Sequence, residues 1–149
     1  MAIVIRKASK NDLGTILGLY ADPELDDGRI LDLADAERMF ERIARYPNYS
    51  VYVAELENEV VGTFALLIMD NLAHLGAPSG VVEDVVVHVR WRGQGIGKEM
   101  MRFTNDECAR AGCYKLTLSS NLKRESAHRF YESLGFERHG YSFWCSVGP

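Results

Sequence analysis

The chain has 149 residues, 47% of them hydrophobic and 26% charged, enough for one globular domain with its own core. A formal charge of −4 argues against a nucleic-acid surface, no apolar run nears the roughly 20 residues of a membrane span, and residues 1–10 lack a signal-peptide core. The three cysteines, Cys108, Cys113 and Cys145, have no C-x-x-C spacing and read as reduced thiols in a cytoplasmic protein, with no disulfide and no metal expected.

In chain order, Val4 to Ala8 predicts a first strand. Ser9 and Asn11-Asp12 offer N-caps to a helix with Leu13, Ile16, Leu17 and Tyr20 at helical spacing, closed by Pro23. Asp22 to Arg29 is an acidic loop. A second helix is expected from Leu33 to Arg45, with Ala36, Met39, Phe40 and Ile43 inward and Pro47 ending it. Val51 to Glu55 and Val60 to Met69 predict a hairpin around Glu57-Asn58-Glu59. The loop from Asp70 to Gly80 is long, and reads either as a wall of an active site or as a plain connection.

Val81 to Val89 predicts a buried central strand, with Glu83 and Asp84 pointing to opposite faces by alternation. From Ile96 a helix follows to Ala111, with Ile96, Met100, Phe103, Thr104 and Ala111 on one face, Glu107 interrupting and Cys108 near the edge. Gly112 suits its left-handed cap. Tyr114 to Ser119 predicts a strand and Ser126 to Leu134 a helix, with Ala127, Phe130, Tyr131 and Leu134 inward and Gly135 stopping it. Phe136 to Val147, broken by Gly140, reads as a last aromatic hairpin. With no repeat, low-complexity tract or linker, residues 1–149 are expected to form a single domain.

The join between the central strand and its helix carries the chemistry. A helix start has N–H groups without intrahelical partners and a partial positive charge. Gly93, Gly95 and Gly97 would let an anion approach those donors, with Arg90, Arg92 and Lys98 adding charge nearby. A P-loop is excluded, since Arg92 stands at its first glycine and Glu99 follows the lysine; the dinucleotide fingerprint would need glycine at Lys98. What stands is R-x-x-G-x-G: Arg92, Gly95, Gly97. Downstream, Ala127-His128-Arg129-Phe130-Tyr131-Glu132-Ser133-Leu134-Gly135-Phe136 forms a second motif.

Both motifs, in this order and at this separation, resemble those of the GNAT acetyltransferase superfamily. The resemblance implies an α/β (α+β) fold with a mixed, mostly antiparallel central sheet of six to seven strands flanked by about four helices. It implies acetyl-CoA as cosubstrate and direct transfer to the primary amine of a small molecule in a ternary complex. A protein or peptide N-acetyltransferase, or a non-catalytic CoA-binding module, are the alternatives. By the same resemblance Val85, Val86 and Val87 bind the pantetheine arm and thioester through their backbone. The pyrophosphate falls to the backbone of Arg92, Gly93, Gln94, Gly95, Ile96, Gly97 and Lys98. Glu83 matches an acidic residue that takes the amine's proton, with His88 a weaker candidate. Tyr131 matches a tyrosine that protonates the leaving thiolate. Where many members have an asparagine this chain has Arg124, and Asn121 is the candidate replacement. The acids at 24, 26 and 27 are candidate acceptor contacts, and family habit implies a homodimer. Ser120-Asn121-Leu122-Lys123-Arg124 with Ala127 to Tyr131 also resembles aminoalkylphosphonate acetyltransferases. Val82-Glu83-Asp84-Val85-Val86-Val87 is similar to glucosamine-phosphate acetyltransferases. Both acceptors combine an amine with a phosphorus oxyanion.

Overall fold

In the computed structural model, residues 2–23 and 25–148 are described; Glu24, one of the candidate acceptor contacts, lies outside them. The chain divides into two compact units, Met1–Leu118 and Ser119–Pro149, taken here one at a time.

The first unit is a single sheet with helices on both faces. Its strands are β1 (Ile3–Lys7), β2 (Tyr49–Leu56), β3 (Glu59–Met69), β4 (Ser79–Val87) and β5 (Lys115–Leu118), in spatial order β1-β2-β3-β4-β5. The first three pairings are antiparallel and β4–β5 is parallel. Its helices are α1 (Leu13–Tyr20), α2 (Leu33–Ile43) and α3 (Ile96–Ala111). The β2–β3 turn is built on Glu57 and Asn58, both with positive φ (50° and 65°), the primed geometry that matches strand twist.

Adjacent residues of β3 show how the faces are shared. Phe64, fully buried, stacks on Tyr52 at 5.2 Å and meets Phe103 of α3 edge-on at 6.2 Å. Thr63, also fully buried, points the other way, toward Tyr20 at the end of α1, and donates its hydroxyl to the Tyr52 carbonyl at 2.8 Å. Ile96, Met100, Met101, Thr104 and Cys108 are the buried stripe of α3, so Cys108 belongs to the core rather than its edge. Cys108 fits there because Gly80 of β4 has no side chain: a Cβ on Gly80 would fall 2.3 Å from the Cys108 sulfur.

The entry to α1 is tied to the sheet by one carboxylate. Asp12, 8% exposed, accepts from Arg6 Nη1 and Nη2 (2.8 and 3.0 Å) and from the Ser9 N–H (2.7 Å), while Arg6 also pairs with Glu55 of β2. The Arg6 guanidinium holds the Asp12 carboxyl down at about 2, from an ordinary 3.8. A depressed carboxyl stabilises the fold above its ordinary pKa, and that stabilisation fades as pH falls from about 4 to about 2. Asp12→Asn is therefore expected to lose on the order of 2 kcal/mol at pH 7. Urea melts of both proteins at descending pH should converge near pH 2.

The second unit has α4 (Glu125–Ser133), ended by Gly135 at φ 95°. The expected last hairpin is not formed: residues 136–148 contain no strand, so among the described residues the sheet has five strands and not six or seven. A hairpin is sustained by a buried face, and here Tyr141, Phe143 and Trp144 are 87–93% exposed.

Candidate active site

Strand β4 changes partner halfway along. Ser79 to Val82 pair with Lys115 to Leu118 of β5, and there the pairing ends, while on its other side β4 keeps β3 as far as Val87. From Glu83 to Val87 the β5 side of the strand has no partner among the described strands. At the same place β4 bulges: Thr63 faces Val86 and Ala65 faces Glu83, so Asp84 and Val85 share one opposing residue, Phe64. Asp84 takes up the extra length at φ 54°, a left-handed conformation that aspartate tolerates better than most residues.

The bulge overturns the simple alternation of Glu83 and Asp84. Both carboxylates act on Tyr49 of β2, and Asp84 acts also on Tyr20 and on Glu83 itself. Although both residues keep accessible surface, the protein around their carboxyl groups removes enough water to raise both above the ordinary range. The charge of Asp84 adds to the rise in Glu83, and that of Asp26 to the rise in Asp84. Burial, reinforced by Asp84, pushes the Tyr20 and Tyr49 hydroxyls upward as well. The arrangement favours a cation and keeps at least one carboxylate a better base than a solvated one. Tyr20 is absent from the sequence-based site because its helical spacing marks it as packing, and Tyr49 because the expected strand begins only at Val51, whereas β2 starts at Tyr49 itself.

Past Val87 the chain makes a 3-10 turn, Val89–Trp91, capped by His88, whose Nδ1 accepts the Arg90 N–H at 3.1 Å. That contact gives His88 a structural task. Arg92 Nε donates to the Val87 carbonyl (3.0 Å) and Nη2 to Asp22 (2.7 Å), fastening the glycine turn to the segment after α1. Gly93 and Gly95 have φ 77° and 85°, and a Cβ on either would meet nothing within 4 Å. Gly95 is the N-cap of α3 and no side chain caps the helix. The first helical bond runs from Glu99 N–H to the Gly95 carbonyl, so the N–H groups of Ile96, Gly97 and Lys98 precede the ladder. A diphosphate fits this cradle by charge, by donors and by open space. The 70–78 loop, in contrast, lies at the other end of β4 from the glycine turn.

Within the second unit, Tyr131 is buried, its ring 5.8 Å from Phe136 and 5.3 Å from Phe130. Burial raises its hydroxyl pKa and the nearby Arg124 charge opposes the rise. Asn121 is engaged in its own turn: its side-chain oxygen accepts the Lys123 N–H (2.9 Å) and its carbonyl accepts from His128 Nε2 (2.8 Å).

Residues 18–136 match the family model described as "Acetyltransferase (GNAT) family". The chain is 34% identical to an aminoalkylphosphonate N-acetyltransferase of Salmonella typhimurium, over 93% of this chain and 88% of that protein. It is 30% identical to a glucosamine 6-phosphate N-acetyltransferase of Trypanosoma brucei brucei, over 91% and 89%. Among solved structures, a transcriptional regulator from Bacillus halodurans C-125 superposes with a TM-score of 0.90 at 28% identity, covering 98% of this chain and all of that one.

Proposed function

The chain belongs to the acetyltransferase (GNAT) family, and on that footing we propose that it transfers the acetyl group of acetyl-CoA directly to the primary amine of a small molecule within a ternary complex. One observation carries this reading: β4 parts from β5 after Val82 and runs into an uncapped helix start across two left-handed glycines. Acetyl-CoA, when bound, supplies the activated acyl carbon and a thiolate leaving group. The backbone of Val85 to Val87 holds the pantetheine arm and the thioester oxygen, and the backbone N–H groups from Arg92 to Lys98 hold the pyrophosphate, with Asn121 a further contact.

An alkylammonium has a pKa of roughly 10.4 and is not nucleophilic near neutrality. Glu83, with its raised pKa, takes that proton, directly or through water. The freed amine forms the C–N bond as the C–S bond breaks, the Tyr131 hydroxyl delivers a proton to the departing sulfur, and the second proton shed by the nitrogen passes through water to restore the Tyr131 phenol, while Glu83 releases its proton to solvent. The acids of this site suit the ammonium. The relatives named for aminoalkylphosphonate and glucosamine 6-phosphate support an acceptor that also bears a phosphorus oxyanion.

The same reading takes both units as one acetyltransferase domain, 1–149, because the family match runs through both. It takes the protein as cytoplasmic, since the free thiols of Cys108, Cys113 and Cys145 suit a reducing compartment, and as a homodimer, for which the exposed Tyr141, Phe143 and Trp144 offer surface. Calorimetric titration with acetyl-CoA, followed by thiol release in the presence of a panel of small amines, tests the function. Folded protein that gives no binding heat refutes it; binding without turnover on any acceptor leaves a CoA-binding module.

A further inference from the structure

One cation of the second unit is placed unlike its neighbours. Arg124 is the N-cap of α4, and its carbonyl accepts the His128 N–H at 3.1 Å to open the helix. Its side chain takes no part in the cap. Arg124 is half-buried, whereas Lys123 before it and Glu125 after it are exposed. A guanidinium in open water needs no account. One partly withdrawn from water costs free energy that a negative charge beside it, resident or transient, offsets.

Helix geometry brings that cation to Tyr131. Seven positions amount to about two full turns, so residues 124 and 131 share one face of α4, about 10 Å apart along its axis. Helical Cα–Cβ bonds tilt toward the N-terminus, which leans the tyrosine back toward Arg124 and leaves a gap that a long arginine side chain spans. The charge of Arg124 is felt at the phenol, and among the described residues it is the one charge that acts there. The other ionisable groups of this stretch are engaged elsewhere or exposed. Glu132 pairs with Arg138 at 2.8 Å, His128 Nε2 meets the Asn121 carbonyl, and Glu125 and Arg129 are exposed. The rings of Phe130 and Phe136 flank that of Tyr131 at 5.3 and 5.8 Å. Apolar walls of this kind weaken screening, so a single cation acts strongly on the hydroxyl between them.

We propose that Arg124 is a positioning residue for the leaving group: its guanidinium holds the negative charge that Tyr131 acquires when the phenol O–H bond breaks and the proton passes to the departing sulfur. The inference rests on the acetyltransferase reading. As the C–S bond breaks, its electron pair stays on sulfur, and the phenol proton closes that sulfur as a thiol. The phenolate left behind is balanced by Arg124 until the second proton shed by the nitrogen restores it. Without the cation the same phenolate forms among aromatic rings with nothing to offset its lost hydration.

The test has one arm without ligand and one with. In the protein alone, labelled at the tyrosine ζ-carbons, the NMR signal of Tyr131 is the one missing from Tyr131→Phe. It should titrate at higher pH in Arg124→Gln than in the wild type, and close to the wild type in Arg124→Lys and in Lys123→Gln, which removes the exposed charge next door. With acetyl-CoA and whichever amine of the panel turns over fastest, Arg124→Gln should lower kcat about tenfold or more, while the calorimetric Kd for acetyl-CoA stays near the wild-type value. Arg124→Lys should recover most of that rate. In a Tyr131→Phe background the same Arg124→Gln change should cost little further, because the two residues act as a unit. An unmoved phenol titration, a loss of cosubstrate affinity that matches the loss of rate, or losses that multiply in the double variant overturns the role. A folded wild type that acetylates no amine refutes the acetyltransferase reading and the leaving-group role with it; an active wild type with any of those three results refutes the role alone.

Discussion

Glu83→Gln is expected to lower the turnover of amine acetylation about a hundredfold or more, with a much smaller change in the affinity for acetyl-CoA. General-base removal typically costs 10²–10⁴ in rate, and in the proposed site Glu83 serves the acceptor, whereas backbone groups serve the cosubstrate. Because burial and Asp84 raise the Glu83 pKa, the wild-type rate should fall on acidification at a pH above the ordinary glutamate range. That acid limb should shift downward in Asp84→Asn, which removes the neighbouring charge, and vanish in Glu83→Gln. Tyr131→Phe should also slow turnover, now with little effect on the acid limb, since its proposed role is at the leaving sulfur and not at the amine. Steady-state rates from pH 5 to 9 beside calorimetric Kd values check all three. Equal losses in rate and in cosubstrate affinity would contradict the roles assigned.

Gly95→Val should weaken acetyl-CoA binding by about tenfold or more. A side chain at φ 85° is strained whatever surrounds it, by roughly 1–2 kcal/mol. The added Cβ meets no protein atom within 4 Å. The valine therefore does not jam the fold; it occupies the open space above the first N–H groups of α3. A variant that melts slightly lower but binds far more weakly is the expected pattern. Unchanged affinity in a folded Gly95→Val protein would remove the diphosphate from this turn.

Most of the fold was legible in the residues because local chemistry set it. Asp32 starts α2 by accepting the Ala34 N–H, Gly112 closes α3 at φ 77°, and the glycine turn sits where its spacing put it. The Asp84 bulge was not legible, since a bulge depends on how two strands align across the sheet. A lone aspartate tolerant of left-handed geometry is its only trace in the sequence. The ties from Arg6 to Asp12 and Glu55, and from Arg92 to Asp22, join residues far apart in sequence or across a turn, and nothing local marks them. The last hairpin failed for the opposite reason. Alternating aromatics between Phe136 and Val147 satisfy a strand pattern, but a strand also needs an edge to pair with and a face to bury.

On the proposed function, the parting of β4 and β5 has a consequence for the protein when no acetyl-CoA is bound. A half-paired strand rich in valine is a template for foreign backbone, and from Glu83 to Val87 one side of β4 has no partner among the described strands. A cosubstrate lying along that stretch would act as a chaperone of the sheet as well as a reactant, and at cellular concentrations would hold the population in its non-aggregating form by mass action.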